Sequence, residues 1–177
     1  MGEVAILNIE DNFSAKSCSI QDTIDFATGL ARYVFPGLVI TLSGDLGTGK
    51  TVIAKALAHA LGADNTRSPS FTIVNEYSGS LPIAHIDLYR INKCSEQEFD
   101  IEYYISNGFL VIIEWPERLT EKPGSDIWNI RIDFDTDENG NLLLSRPYNR
   151  SFILASEGKE ASIRLSKFIN EFLKGDI

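Results

Sequence analysis

The segment Gly44-Asp45-Leu46-Gly47-Thr48-Gly49-Lys50-Thr51 constrains this chain more than any other. Two glycines separated by four residues and followed by Lys-Thr make the phosphate-cradling pattern. Glycines let a backbone turn tightly and aim successive N–H groups into one concavity, where phosphate oxygens can approach the bare main chain. The amides of Asp45, Leu46, Gly47, Thr48, Gly49, Lys50 and Thr51 are therefore candidate ligands of a nucleotide's phosphates. Lys50 supplies a point charge for the outer phosphates, and Thr51 a hydroxyl for the accompanying magnesium. A helix starting here adds its positive N-terminal end. The flanks agree: Leu38 to Leu42 reads as a buried strand and Val52 to Leu61 as a helix.

The chain has 177 residues and 44% hydrophobic content, enough for one well-buried domain spanning 1–177. Its 16 Lys and Arg against 25 Asp and Glu give a net charge of -9. That balance argues against a surface that wraps a nucleic-acid backbone by general electrostatics, so any RNA contact needs a local patch or a partner. Cys18 and Cys94 form no metal-spaced cluster, and Met1-Gly2 is followed by neither a signal core nor the Ser or Thr at position 6 that myristoylation requires. No apolar run reaches the roughly 20 residues that cross a bilayer. A reducing cytoplasm is the expected location, with no membrane association.

Val4 to Ile9 is expected as a first strand. Ser19-Ile20-Gln21-Asp22 reads as a helix cap, and Ile24, Ala27, Leu30, Ala31 and Val34 then form one apolar stripe before Pro36-Gly37. After the glycine loop, Val52, Ile53, Ala56, Leu57, Ala60 and Leu61 are expected on the inner side of a helix closed by Gly62, with His59 outside. Thr66 to Ser70 is a polar loop broken by Pro69 and followed by a strand from Phe71 to Tyr77. The hydroxyls of Ser68, Ser70 and Thr72 are placed to reach a terminal phosphate or its metal, as switch loops do, unless the loop is an ordinary surface connection.

Ile83 to Leu88 reads as a short strand bringing Asp87 to its end, and Ser95 to Ser106 as an acidic helical stretch. Phe109 to Ile113 is a continuous apolar run of the kind buried on both faces of a parallel sheet, and it ends in Glu114. Ligands of such sheets bind beyond the carboxyl ends of the strands. Glu114 is thus the preferred metal-side carboxylate, with Asp87 as its companion. Ile127 to Phe134 and Leu142 to Ser145 read as strands around the Asn139-Gly140 turn. Asp135 to Gly140 opens like a calcium loop, but the twelfth position is Arg146 where a bidentate Glu is required, so calcium is rejected. A last amphipathic helix carries Ile163, Leu165, Phe168, Ile169 and Phe172, and the segment from Arg146 to Lys159 yields no reading. The fold class is α/β, built around a phosphate-loop strand and helix as in phosphate-loop NTPases, with a C-terminal β-hairpin and helix.

The glycine loop, Ser68-Pro69-Ser70-Phe71-Thr72, His85-Ile86-Asp87-Leu88-Tyr89-Arg90 and Glu114-Trp115-Pro116-Glu117, in this order and spacing, resemble the TsaE family from about Ser19 to Glu117. These are small bacterial ATPases of tRNA threonylcarbamoyladenosine biosynthesis. The resemblance implies a mixed β-sheet flanked by helices around one ATP site, Mg2+, ATP hydrolysis, and partnership with the TsaB and TsaD proteins that modify the adenosine next to the anticodon. It implies tRNA contact only through that complex. It also implies Lys50 and the loop amides on the phosphates, Thr51 and Glu114 on magnesium, and Asp87 in a supporting or catalytic role, so that Lys50, Asp87 and Glu114 are the catalytic candidates. Trp115 matches a family tryptophan. Two departures stand out: Ser70 where the family usually has Thr, which keeps a hydroxyl, and Val52 where a second Thr is common, which removes one.

Two other classes fit a phosphate loop. A small-molecule kinase needs an acceptor pocket and usually an arginine-bearing lid. The arginines after Glu114, namely Arg118, Arg131, Arg146 and Arg150, are scattered. The other is a nucleotide-dependent assembly module without turnover; the pair Asp87 and Glu114 argues for hydrolysis but does not set its rate, and isolated phosphate-loop proteins can be very slow without a partner.

Overall fold

The computed structural model describes residues 13–63, 72–136 and 148–175. Seven strands form one sheet: β1 (Phe13–Ser17), β2 (Val39–Ser43), β3 (Val74–Tyr77), β4 (Ile83–Asp87), β5 (Leu110–Glu114), β6 (Ile127–Phe134) and β7 (Arg150–Glu157). Their spatial order is β1-β7-β6-β2-β5-β4-β3. The central neighbours β6, β2, β5 and β4 run parallel, whereas β1, β7 and β3 join antiparallel, so the sheet is mixed as expected. The helices are α1 (Ile20–Ala31), α2 (Lys50–Ala60), α3 (Ile101–Ser106) and α4 (Lys159–Lys174).

The two faces of the sheet bury separate cores. Alternate residues Ile40, Leu42, Leu110 and Ile112 pack with Leu30, Ile53, Leu57, Leu165 and Phe168 of α1, α2 and α4. Val39, Val111 and Ile113 point the other way, toward Ile101 of α3. Every residue of β5 is therefore buried, and full burial of each of its aliphatic side chains contributes about 1.5–3 kcal/mol. Such double burial explains the unbroken apolar run that marks this strand in the sequence.

The Ser19 cap is observed: its side chain accepts from the Asp22 amide while Asp22 Oδ2 accepts from the Cys18 amide, at 3.0 and 2.8 Å. Phe26, stacked on Phe152 with centroids 4.7 Å apart and edge-on to Phe168, joins α1 to β7 and α4. The indole N–H of Trp128 donates to the Ala161 carbonyl at 2.8 Å, which fastens the start of α4 onto the sheet.

Several expectations need correction. A strand at Phe13–Ser17 was not foreseen, and Val4 to Ile9 lies outside the described residues. Ala60 and Ile163 face solvent, while Ala54, Ala58 and Ala161 are buried, because the angular position of a helix on its neighbours is set by packing and not by the apolar count. The stretch from Ser95 to Ser106 is split at Asp100, whose φ of 52° ends a short 3₁₀ turn before α3. Most consequentially, β6 pairs along its full length with β7, taken from the segment that gave no reading, while the expected strand from Leu142 to Ser145 lies outside the described residues. The Asn139-Gly140 turn and Arg146 lie outside the described residues.

Candidate active site

The glycine loop leaves the carboxyl end of β2, where the chain's next parallel neighbours lie on opposite sides, β5 on one and β6 on the other. Crevices form at such switch points. Gly44 shows why the loop must begin on glycine: its φ is +132°, and a Cβ there would stand 2.1 Å from the Ile132 carbonyl oxygen of β6. Gly49, at φ +112°, then precedes α2, which opens on Lys50 and Thr51.

Lys50 is only 4% exposed. Its ammonium donates to the carbonyls of Gly44 and Asp45 at 2.7 and 2.8 Å and lies 3.9 Å from the centroid of the Trp115 ring. Burial pulls its pKa down, opposed by the charges of Glu114, Glu117, Asp87 and Asp45. Thr48 is also buried and donates to the Asp45 carbonyl at 2.9 Å, fixing the turn, while Asp45, Leu46 and Gly47 form the exposed tip.

β2 and β5 align Leu42 with Glu114, and β4 and β5 align Asp87 with Glu114. Paired positions on parallel strands share a face, which turns both acids toward α2. Thr51 Oγ1 donates to Glu114 Oε2 at 2.9 Å. That commits the hydroxyl proton to the carboxylate and leaves the oxygen's lone pairs for a cation. Asp87 Oδ1 accepts from the Tyr89 amide at 3.0 Å. Burial raises the Asp87 pKa; the Tyr89 amide opposes the rise and the Glu114 charge adds to it. Among the described residues no cluster of three His, Cys, Asp or Glu could enclose a metal. A hydroxyl and one carboxylate beside a phosphate loop nevertheless fit Mg2+, which prefers hard oxygens and completes its shell with water and substrate phosphates.

Two residues were missed. His85, two positions before Asp87 on the same face of β4, places Nε2 at 2.9 Å from Glu114 Oε1, with both side chains at most 2% exposed. The alternation of His85 and Asp87 in one strand was a usable signal. Arg150 carried no such signal, since it reaches the loop from 102 residues away: its Nε donates to the Thr48 carbonyl at 2.9 Å and a terminal nitrogen to the Gly47 carbonyl at 3.3 Å. Its guanidinium also covers the Phe134 ring at 4.4 Å. Arg150 buttresses the loop from behind and is not an arginine on a lid. Beside it lies a cleft of ≈ 180 Å³ lined by Ile20, Thr23, Gly47, Val52, Tyr148 and Arg150, among others.

Thr72 is exposed and donates to Asn75 Oδ1 at 2.6 Å. Ser68 and Ser70 lie outside the described residues. His59 is exposed, as expected. No helix among the described residues is long and apolar enough to cross a membrane.

A buried strand, a glycine loop, a helix opening on Lys-Thr and an acid closing the adjacent parallel strand define a phosphate-loop protein of the α/β class. The family model described as Threonylcarbamoyl adenosine biosynthesis protein TsaE matches residues 17–142, and this chain belongs to that family. It is similar to the tRNA threonylcarbamoyladenosine biosynthesis protein TsaE of Bacillus subtilis, 34% identical over 139 residues that cover 77% of this chain and 87% of the relative. The protein of the same name from Aquifex aeolicus is 42% identical over 125 residues, 68% of this chain and 86% of its own. That of Synechocystis is 42% identical over 100 residues, 53% of this chain and 64% of its own. The crystal structure of YdiB from Bacillus subtilis superposes with a TM-score of 0.69 at 26% identity, covering 97% of this chain and 99% of that one.

Proposed function

We propose that this chain binds ATP with Mg2+ at the glycine loop and hydrolyses it in tRNA threonylcarbamoyladenosine biosynthesis, acting in the cytoplasm with the TsaB and TsaD proteins on the adenosine next to the anticodon. The names of the relatives support the pathway. The observation that carries the nucleotide chemistry is the Thr51–Glu114 hydrogen bond at the mouth of the phosphate loop.

Thr51 and Glu114 are the residues that would hold magnesium, which when bound offsets the charge of the outer phosphates and developing phosphate. The amides from Asp45 to Thr51 and the N-terminus of α2 bind the phosphate oxygens. Lys50 exchanges its hold on the loop carbonyls for the outer phosphates, moving within a site where its charge is weakly solvated. Water attacks the γ-phosphorus, the bond to the β–γ bridging oxygen breaks, and the proton of the attacking water passes to Asp87, whose raised pKa suits it to accept one. The cleft lined by Val52 and Tyr148 beside the glycine loop is the proposed place of the nucleoside.

The net charge of -9 favours a chain that works on a tRNA-bearing protein assembly and not on tRNA alone. Hydrolysis resets that assembly only if the partners bind the ATP and ADP forms unequally. Nucleotide titration of the parent and of Lys50→Ala, with phosphate release measured alone and with TsaB, TsaD and tRNA, tests the proposal. Loss of tight ATP binding in the variant and partner-dependent phosphate release are expected. Parent-like affinity in Lys50→Ala, equal partner affinity in the two nucleotide states, or tight tRNA binding by the isolated chain would each defeat it.

A further inference from the structure

We propose that His85 is the positioning residue of Glu114, and that its Nε2–H aims the carboxylate so that the opposite oxygen serves Thr51 and the metal. The inference rests on the magnesium-nucleotide reading above and assigns a role to a side chain which that reading leaves unused. His85 occupies a core position: its strand neighbours Ile83 and Ile86 are fully buried, its register partner on β5 is Ile112, and it is 1% exposed itself. An imidazole there loses its water and recovers the loss only through a hydrogen bond. Glu114 Oε1, at 2.9 Å from Nε2, is that partner, while Nδ1 meets no hydrogen-bonding group among the described residues.

The missing partner at Nδ1 fixes the tautomer. A buried N–H without an acceptor is more costly than an unused lone pair, so the hydrogen sits on Nε2 and points at Glu114. Glu114 then receives one donor on each oxygen, His85 on Oε1 and Thr51 on Oε2, both at 2.9 Å. Two donors from different elements, one on β4 and one on α2, stop the carboxylate from turning about its last torsion. Each oxygen retains a further lone pair for a cation or its waters. Partners of metal-binding groups placed in this manner typically change metal affinity or activity 10- to 100-fold when removed.

Glutamine can bring an amide N–H close to the position of Nε2, whereas asparagine mimics only Nδ1 and falls short of Glu114. The test therefore compares His85→Gln with His85→Asn, two polar variants with a similar burden on folding. Manganese serves as the spectroscopic probe, with its binding to each protein followed by electron paramagnetic resonance in the presence of ADP, alongside kcat and KM for ATP at varied magnesium. His85→Gln is expected within about threefold of the parent, and His85→Asn to weaken manganese binding at least about 10-fold, lowering kcat while the affinity for metal-free ADP stays unchanged. Parent-like manganese binding in both variants, or equal impairment in both, overturns the role of His85. A parent protein that binds no manganese with ADP overturns the magnesium-nucleotide reading and this inference with it, and is distinguishable from the first outcome by the parent curve alone.

Discussion

Thr51 and Glu114, 63 residues apart in sequence, meet through a 2.9 Å hydrogen bond at the carboxyl edge of the sheet. The bond joins the first turn of α2 to the last residue of β5. It sets a hydroxyl and a carboxylate at the site where the outer phosphates of a nucleotide are expected.

Glu114→Gln is expected to keep nucleotide affinity within about threefold and to reduce the rate of phosphate release by about 100-fold or more. The amide preserves shape and an acceptor for Thr51 but removes the charge that holds a divalent cation. Isothermal titration with ADP in the absence of metal, paired with a phosphate-release assay, separates the two effects.

Asp87→Asn is expected to stabilise the metal-free protein near pH 7 while abolishing hydrolysis. Burial raises the Asp87 pKa above its unfolded value, so its stabilising contribution is present below the unfolded pKa and is lost as pH rises through the folded one. Ionised Asp87 is then a burden on the fold that asparagine relieves, while its side-chain oxygen still accepts from the Tyr89 amide. Thermal melts should show a gain of at most a few degrees at pH 7 that disappears near pH 3.

Gly44→Ala is expected to lose about 2–4 kcal/mol of stability. The added Cβ meets the Ile132 carbonyl oxygen at 2.1 Å, and a φ of +132° is one that alanine resists. A fall of roughly 5–15 °C in Tm follows for a chain of this size, read by circular dichroism. Gly49→Ala meets no atom within 4 Å and should be limited to the backbone strain of φ +112°.

Arg150→Ala is expected to cost about 1–3 kcal/mol and to weaken nucleotide binding several-fold, because the fork that ties the Gly47 and Thr48 carbonyls to β7 is lost. Arg150→Lys should recover little, since an ammonium cannot span both carbonyls while covering Phe134. Denaturant melts and nucleotide titration of the two variants check this.

The glycine loop, the Ser19 cap, the apolar run of β5 and the acids at the ends of β4 and β5 were legible in the sequence because each rests on local chemistry. A positive φ calls for glycine, an orphan helix amide calls for a hydroxyl, and burial on both faces calls for consecutive apolar residues. The TsaE family was legible for the same reason, as its motifs are short and contiguous. Strand pairing, the angular setting of α2 and α4, and the approach of Arg150 and His85 to their partners depend on contacts between distant segments. β7 illustrates the difference: with Ser151 and Ala155 on a face that is only half buried, its alternation is faint, and its place between β1 and β6 is fixed by Phe152 and Leu154 meeting Phe13, Phe26 and Ile130. Sequence determined which residues could bind phosphate; only the assembled sheet decided which side chains would hold Glu114 and the loop in place, because those contacts are made by packing across the fold.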